Sequence, residues 1–329
     1  MKKLPGIVRK IVEAIRASNT ICIVGHIRPD GDCIGSQLGL GLALKAGGKK
    51  VTCWNEDSMP AKLAFLDLKG RLLQQPVPGR RFDCVIATDC ASFERLGKVG
   101  PCIERRNVFI NIDHHASNTR YADLNWISPE EPSTGELIVR LLEAGDWPIT
   151  PAIADCLFAA VSTDTGSFQY PSTRPPTFQV AARLVERGAD LGRICNEVYH
   201  SYSLSRVRLL QHVYNQFKLT DGDRVAYFWL KKKDYDRTGA KPDDSEGLID
   251  HVRAIEPVVV ACLFEEVEPQ LTRVSLRSKS QRVNVNDIAR RFGGGGHHAA
   301  AGARIKGQPL AVERQVLTAV KDALHHLAQ

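Results

Sequence analysis

Aspartate and histidine recur at the ends of apolar runs in this chain, at spacings that suit divalent-cation chemistry. Ile21-Cys22-Ile23-Val24-Gly25 leads into His26, with Asp30 and Asp32 close behind. Asp83-Cys84-Val85-Ile86-Ala87-Thr88 leads into Asp89, and Asn107-Val108-Phe109-Ile110-Asn111-Ile112 leads into Asp113-His114-His115. A further carboxylate, Asp164, follows the apolar run from Cys156 to Val161. The first three runs read as buried strands, and ionisable groups at their ends do not belong in a core. In open parallel sheets ligands bind beyond the carboxyl ends of strands, so these runs point to one converging site. Five aspartates, three histidines and no cysteine form a hard donor set, suited to a pair of Mn²⁺ or Mg²⁺ ions rather than structural zinc. Pro29-Asp30-Gly31-Asp32 is also good turn chemistry, and such a turn aims two carboxylates at different ions. Carboxylates this close resist joint ionisation unless a cation offsets them.

The elements that must carry these groups follow from periodicity. A lead-in helix is expected over 7–17, then strand 20–25, helix 33–46 and strands 50–54, 83–89 and 107–113. Helices near 134–145, 151–162 and 175–187 come next. The alternation predicts an α/β fold with a mostly parallel sheet wrapped by helices. Ser133 is placed to cap the helix that contains Glu136, which makes Glu136 a helix-start residue rather than a catalytic one. Residues 196–219 read as a polar-interrupted helix with a Val207, Leu210, Val213, Tyr214 and Phe217 stripe. Beyond it a second, smaller α/β set is expected: strands 224–230, 257–264 and 271–277, helices 244–251 and 284–291, and a terminal helix 309–327. The domain expectation is therefore 1–188 catalytic, 189–218 helical linker and 219–329 substrate-binding.

Taken together, the four motifs resemble those of the DHH phosphoesterases, a family that includes the single-strand exonuclease RecJ, manganese pyrophosphatases and oligoribonucleases (nano-RNases). Gly293-Gly294-Gly295-Gly296-His297-His298-Ala299-Ala300-Ala301-Gly302 resembles the glycine-rich signature of the C-terminal domain that accompanies many of them. Five motifs in order, each in a fitting strand context, are specific where one alone is weak. The resemblance implies two ions per site, Mn²⁺ with Mg²⁺ or Co²⁺ as substitutes. His26 and Asp30 would hold one, Asp32 and His114 the other, and Asp89 and Asp164 would bridge. It further implies that Asp113 orients a histidine, that His115 faces the scissile phosphate as a catalytic group, and that Arg277, Gly294, Gly295, Gly296 and His297 grip the substrate. A glycine run lets backbone N–H groups approach an anion, and opening a helix it would form an anion nest. Phe168 and Tyr170 could stack on a base, with core packing the competing reading for Phe168.

Charge and composition narrow the function further. The chain has 329 residues, too many for one comfortable core, and its net charge is +7. Between Leu271 and Lys306 eight basic residues face only Asp287, and elsewhere acidic and basic residues balance. That places the positive excess around the glycine loop, where a polyanion would bind. The nine cysteines include no Cys-x-x-Cys pair and read as small buried thiols, Cys33 and Cys90 among them. No apolar stretch suits a signal peptide or a membrane span, so a cytoplasmic location is expected.

The expected activity is hydrolysis of phosphate esters: very short RNA or DNA oligonucleotides cut to mononucleotides, and the nucleotide bisphosphate 3′-phosphoadenosine 5′-phosphate cut to AMP. A homodimer is compatible with this. Competing readings are a phosphodiesterase for linear or cyclic dinucleotides such as pApA or c-di-AMP, a RecJ-like exonuclease, and a non-catalytic nucleotide-binding regulator. A pyrophosphatase fits less well, because the glycine-histidine loop does not match that subgroup's C-terminal domain.

Overall fold

The computed structural model describes residues 5–67 and 72–325. It divides into two units, Met1–Ser201 and Tyr202–Gln329.

The first unit is built on a six-stranded parallel sheet of β1 (Thr20–Val24), β2 (Lys50–Trp54), β3 (Leu73–Gln74), β4 (Phe82–Thr88), β5 (Arg106–Asp113) and β6 (Leu124–Ile127). The spatial order is β3-β2-β1-β4-β5-β6. Succession runs outward from β1 to β2 in one direction and from β4 to β6 in the other. The order therefore reverses between β1 and β4, and the crevice at such a reversal is where open sheets hold ligands. The central strands are apolar and buried on both faces, as parallel strands covered by helices must be. Short β3 and β6 lie at the two edges and have too few residues to leave a periodic signal.

Around the sheet pack α1 (Gly6–Ala17), α2 (Gly31–Ala46), α3 (Thr134–Ala144), α4 (Pro151–Asp164), α5 (Pro175–Glu186) and α6 (Leu191–Tyr199). Helix α2 is buried nearly all round, so its glycines are packing residues and not turns. A Cβ on Gly31, Gly35 or Gly39 would stand 2.3 Å from Thr163 Oγ1, 2.3 Å from the Cys156 carbonyl oxygen and 2.8 Å from Leu157 Cδ2, respectively. This i, i+4, i+8 stripe lets α4 lie directly on α2 in the opposite direction. The start of α2 thereby meets the end of α4, which is where Asp32 and Asp164 reside.

Residues 196–219 are not one helix. Helix α6 ends at Tyr199 and belongs to the first unit, while α7 (Leu204–Gln216) belongs to the second and is capped by Ser203 Oγ, which accepts from the Arg206 N–H. The buried face of α7 is also rotated from the expected stripe. Leu209 and Val213 are buried, whereas Val207 and Tyr214 are 49% and 47% exposed.

The second unit carries the sheet β11-β12-β10-β9-β8-β7, formed by β7 (Lys218–Thr220), β8 (Val225–Leu230), β9 (Val260–Glu268), β10 (Leu271–Ser278), β11 (Gly295–Gly296) and β12 (Ala300–Lys306). Only β8 and β9 pair in parallel. Helices α8 (Lys232–Thr238), α9 (Leu248–Arg253), α10 (Val285–Arg290) and α11 (Pro309–His325) complete it. The end of the expected terminal helix, including His326, lies outside the described residues. No described helix is long and apolar enough to cross a membrane.

Candidate metal centre

Each motif residue of the first unit sits at the carboxyl edge of the sheet or at a helix end facing it. His26 follows β1, Asp30 caps α2 by accepting from the Cys33 N–H at 3.1 Å, and Asp32 lies in the first turn of α2. Asp89 follows β4 with a left-handed backbone (φ 55°), Asp113 ends β5, and Asp164 ends α4.

Asp89 is the centre of the arrangement. Its Oδ2 is 3.4 Å from His26 Nε2, and its Oδ1 is 3.5 Å from His114 Nε2. His26 Nε2 also faces Asp30 Oδ1 at 3.8 Å, while His114 Nε2 faces Asp32 Oδ2 at 3.8 Å and Asp164 Oδ2 at 3.1 Å. One carboxylate thus spans two histidine-carboxylate groups. Asp164 falls with the His114 group in this arrangement. Both histidines hold their other ring nitrogen against a carbonyl oxygen: His26 Nδ1 is 2.8 Å from Ile27 O, and His114 Nδ1 is 3.1 Å from Glu131 O. In a neutral ring, an Nδ1–H donated there turns the Nε2 lone pair to the carboxylate cluster, where a cation would compete with a proton for it.

Asp113 and His115 stand to one side. Asp113 is fully buried, with Oδ1 2.8 Å from His115 Nδ1 and Oδ2 accepting from Asn118 Nδ2 at 2.6 Å. His115 Nδ1 also lies 3.6 Å from Asp89 Oδ1, which ties the pair to the centre.

Charge crowding shapes the titration of the group. Burial and then the charge of Asp89 push Asp32 well above the ordinary carboxylate range, and the same two causes, in the same order, raise Asp164. Burial works against ionised Asp89 too, but His26, His115 and His114 outweigh it and hold its carboxyl well below that range. Burial pulls His26 down, yet its contacts with Asp30 and Asp89 more than compensate and keep it protonated to higher pH than usual. A cluster whose carboxylates repel one another, with imidazole nitrogens turned into it, fits a divalent cation bound by oxygen and nitrogen donors.

Several site residues carry no motif signal. The backbone N–H groups of Thr134 and Gly135 donate to Asp32 Oδ2 and Oδ1 at 2.6 and 2.9 Å, and Ser36 Oγ donates to Oδ1 at 3.0 Å. Thr134 Oγ1 donates to Asp89 Oδ1 at 3.1 Å. The start of α3 is thus an anchor for two of the central carboxylates, and its own cap is Ser133 Oγ, accepting from the Glu136 N–H. Cys33 Sγ belongs to a compact set with His26 and Asp89. Burial pushes its thiol up, so it packs there as a neutral group.

Phe168 lies in a run of three left-handed residues, Gly166 to Phe168, just after Asp164. Its ring packs on Phe158 and stacks on Phe178 at 5.4 Å, and Phe178 is 55% exposed.

The remaining sequence candidates lie in the second unit. Arg277 on β10 pairs with Ala300 on β12, and His297 closes a tight turn to Ala300 through its N–H donated to the Ala300 carbonyl at 2.7 Å. The glycine tetrad does not open a helix. It follows α10, and Gly295 and Gly296 form β11 against Gly302 and Ala301. Close strand packing requires glycine there: a Cβ on Gly294 would be 2.1 Å from the Gly302 carbonyl oxygen.

A family model described as "DHH family, N-terminal domain" matches residues 20–161, and one described as "DHHA1 domain" matches residues 222–327. The bifunctional oligoribonuclease and PAP phosphatase NrnA of Thermus thermophilus is 34% identical over 96% of this chain and 94% of its own length. The chain belongs to the DHH family. Among solved structures, an exopolyphosphatase-related protein from Bacteroides fragilis superposes with a TM-score of 0.89 at 26% identity, covering all of both chains. RecJ from Thermus thermophilus, solved in complex with Mn²⁺, shares the fold with a TM-score of 0.54 at 16% identity, over 97% of this chain and 55% of RecJ.

Proposed function

We propose that this protein is a two-metal phosphoesterase that uses Mn²⁺ to hydrolyse very short oligonucleotides to mononucleotides and 3′-phosphoadenosine 5′-phosphate to AMP. The observation that carries the chemistry is Asp89, whose two oxygens face two separate histidine-carboxylate groups. His26, Asp30 and Asp89 would hold one cation, and Asp32, His114, Asp164 and Asp89 the other. Divalent cations bound there supply Lewis-acid stabilisation of charge at phosphorus and a nucleophilic water at neutral pH.

The protein's own groups do the rest. Asp113 fixes the His115 ring through Nδ1, which turns Nε2 outward for proton transfer to the leaving oxygen. Arg277, His297 and the backbone of Gly294, Gly295 and Gly296 supply a cationic surface for a substrate phosphate. The substrate class follows the Thermus relative, whose name couples oligoribonuclease and PAP phosphatase activities.

The test is turnover of a 2-mer, a 5-mer and a 24-mer, with the bisphosphate alongside, at two salt concentrations. A grip on two to four phosphates predicts a shallow salt dependence, at roughly −0.7 in the log–log slope per contact, and little gain beyond a few nucleotides. Faster turnover of the 24-mer with a steep slope replaces this reading with a RecJ-like exonuclease.

A further inference from the structure

The second unit contains a cavity of about 600 Å³ at the β8 edge of its sheet, three strands from the β12 strand that pairs with Arg277 and the glycine tetrad. It exists because β7 is short. Lys218 is the first residue of β7 and pairs with Tyr227, so β8 from Phe228 onward has no strand beside it on that flank. The volume lies within the roughly 300–1,000 Å³ typical of small-molecule sites.

The lining has a definite chemistry. Four cations line it, Lys218 from β7 and Lys231, Lys233 and Arg237 from the cap and body of α8, and two carboxylates, Asp234 and Glu313, oppose them. Both carboxylates are already engaged. Asp234 accepts the Lys231 N–H at 2.9 Å and faces His212 Nε2 at 3.1 Å, and Glu313 accepts from Trp229 Nε1. Arg237 comes no closer than 4.0 Å to Asp234, and among the described residues Lys218, Lys231 and Lys233 form no ion pair. An aromatic wall completes the cavity. Trp229 stacks one face on Phe264 at 5.1 Å, and Lys231 Nζ lies over its ring, 5.7 Å from the centroid.

Unpaired ammonium groups around a half-buried indole suit a ligand that is anionic at one end and flat at the other. We propose that this cavity binds a nucleoside phosphate, its phosphate among Lys218, Lys231 and Lys233 and its base against Trp229. Lys231 then leaves the ring for the phosphate. The same chemistry is offered by a free mononucleotide and by one nucleotide of a strand. The size of the cavity favours the free molecule.

Trp229 reports on the site directly, because the other three tryptophans, Trp54, Trp126 and Trp147, belong to the first unit. The full chain is titrated in EDTA with AMP, inorganic phosphate or a 12-mer oligonucleotide while tryptophan emission is followed. AMP is expected to change emission saturably, and Trp229→Phe to abolish that change. Lys231→Ala/Lys233→Ala should weaken AMP at least fivefold while dinucleotide turnover stays within twofold. A 12-mer that binds tenfold more tightly than AMP through the same lysines assigns the nucleotide to a strand. The proposal is overturned by unaltered affinity in the lysine variant, by inorganic phosphate binding as tightly as AMP, or by no emission change with either AMP or the 12-mer. Because binding is read without turnover, none of these outcomes depends on the activity proposed above.

Discussion

Thr134 Oγ1 stands 3.1 Å from Asp89 Oδ1, so a residue outside every ligand motif holds the central carboxylate in place. Its backbone N–H, donated to Asp32, belongs to the same anchor. Thr134→Val removes the hydroxyl while keeping shape and the N–H. We expect Mn²⁺ affinity and turnover to fall about tenfold, in line with the 10–100-fold cost of losing a partner that orients a metal ligand. Thr134→Ser should restore most of both. Equal losses in Val and Ser variants, measured by Mn²⁺ titration, would reject the hydroxyl's role.

Asp89 is the residue whose charge should be least replaceable. Its positive φ makes alanine a poor probe, because alanine adds strain at that backbone. Asparagine tolerates the left-handed region and is nearly isosteric. Asp89→Asn should therefore keep its melting temperature within a few degrees, bind less metal and lose at least a thousandfold in turnover. Substantial Mn²⁺-supported activity in this variant would sink the two-metal arrangement.

Metal affinity should rise with pH. Asp32 and Asp164 retain protons above the usual carboxylate range, and His26 retains one above the usual imidazole range. All three shifts have the same sign, so a cation must displace protons at neutral pH and meets less competition in mild alkali. Calorimetric Mn²⁺ titration at pH 6.5 and 8.5, in buffers of different ionisation enthalpy, is expected to show tighter binding at pH 8.5 and proton release at pH 6.5. Affinity independent of pH contradicts it.

Grip and chemistry should separate at Arg277. It lies in the second unit and is not among the proposed metal ligands. Arg277→Ala should leave metal content unchanged and lower turnover of a dinucleotide at least tenfold. A nitrophenyl phosphodiester, which lacks the gripped groups, should lose much less. Matching losses on both substrates would place Arg277 in the chemistry instead.

Much of the site was legible because its signal is local. A buried parallel strand must be apolar, so Asp and His directly after β1, β4 and β5 mark its carboxyl end without any knowledge of neighbours. The Ser133 cap and the starts of α3, α4 and α5 were legible for the same reason, since a helix start is written within a few residues. Other features depend on which segments meet. The Gly31, Gly35 and Gly39 stripe has meaning only once α4 lies on it, and a glycine tetrad reads alike before a helix or in a hairpin until β12 is there to pair with.

The α/β class and the candidate site residues are written in local sequence, because periodicity and charge act over one or two turns of chain. Tertiary structure alone decided the reversal of strand order between β1 and β4 and the turning of Asp89's two oxygens to different histidines. It also brought Thr134, 45 residues from Asp89, against that carboxylate, and set Glu313 of α11 against Trp229 of β8. These are long-range pairings, fixed by how the elements pack and by the need to satisfy each buried polar group, and no local pattern records them.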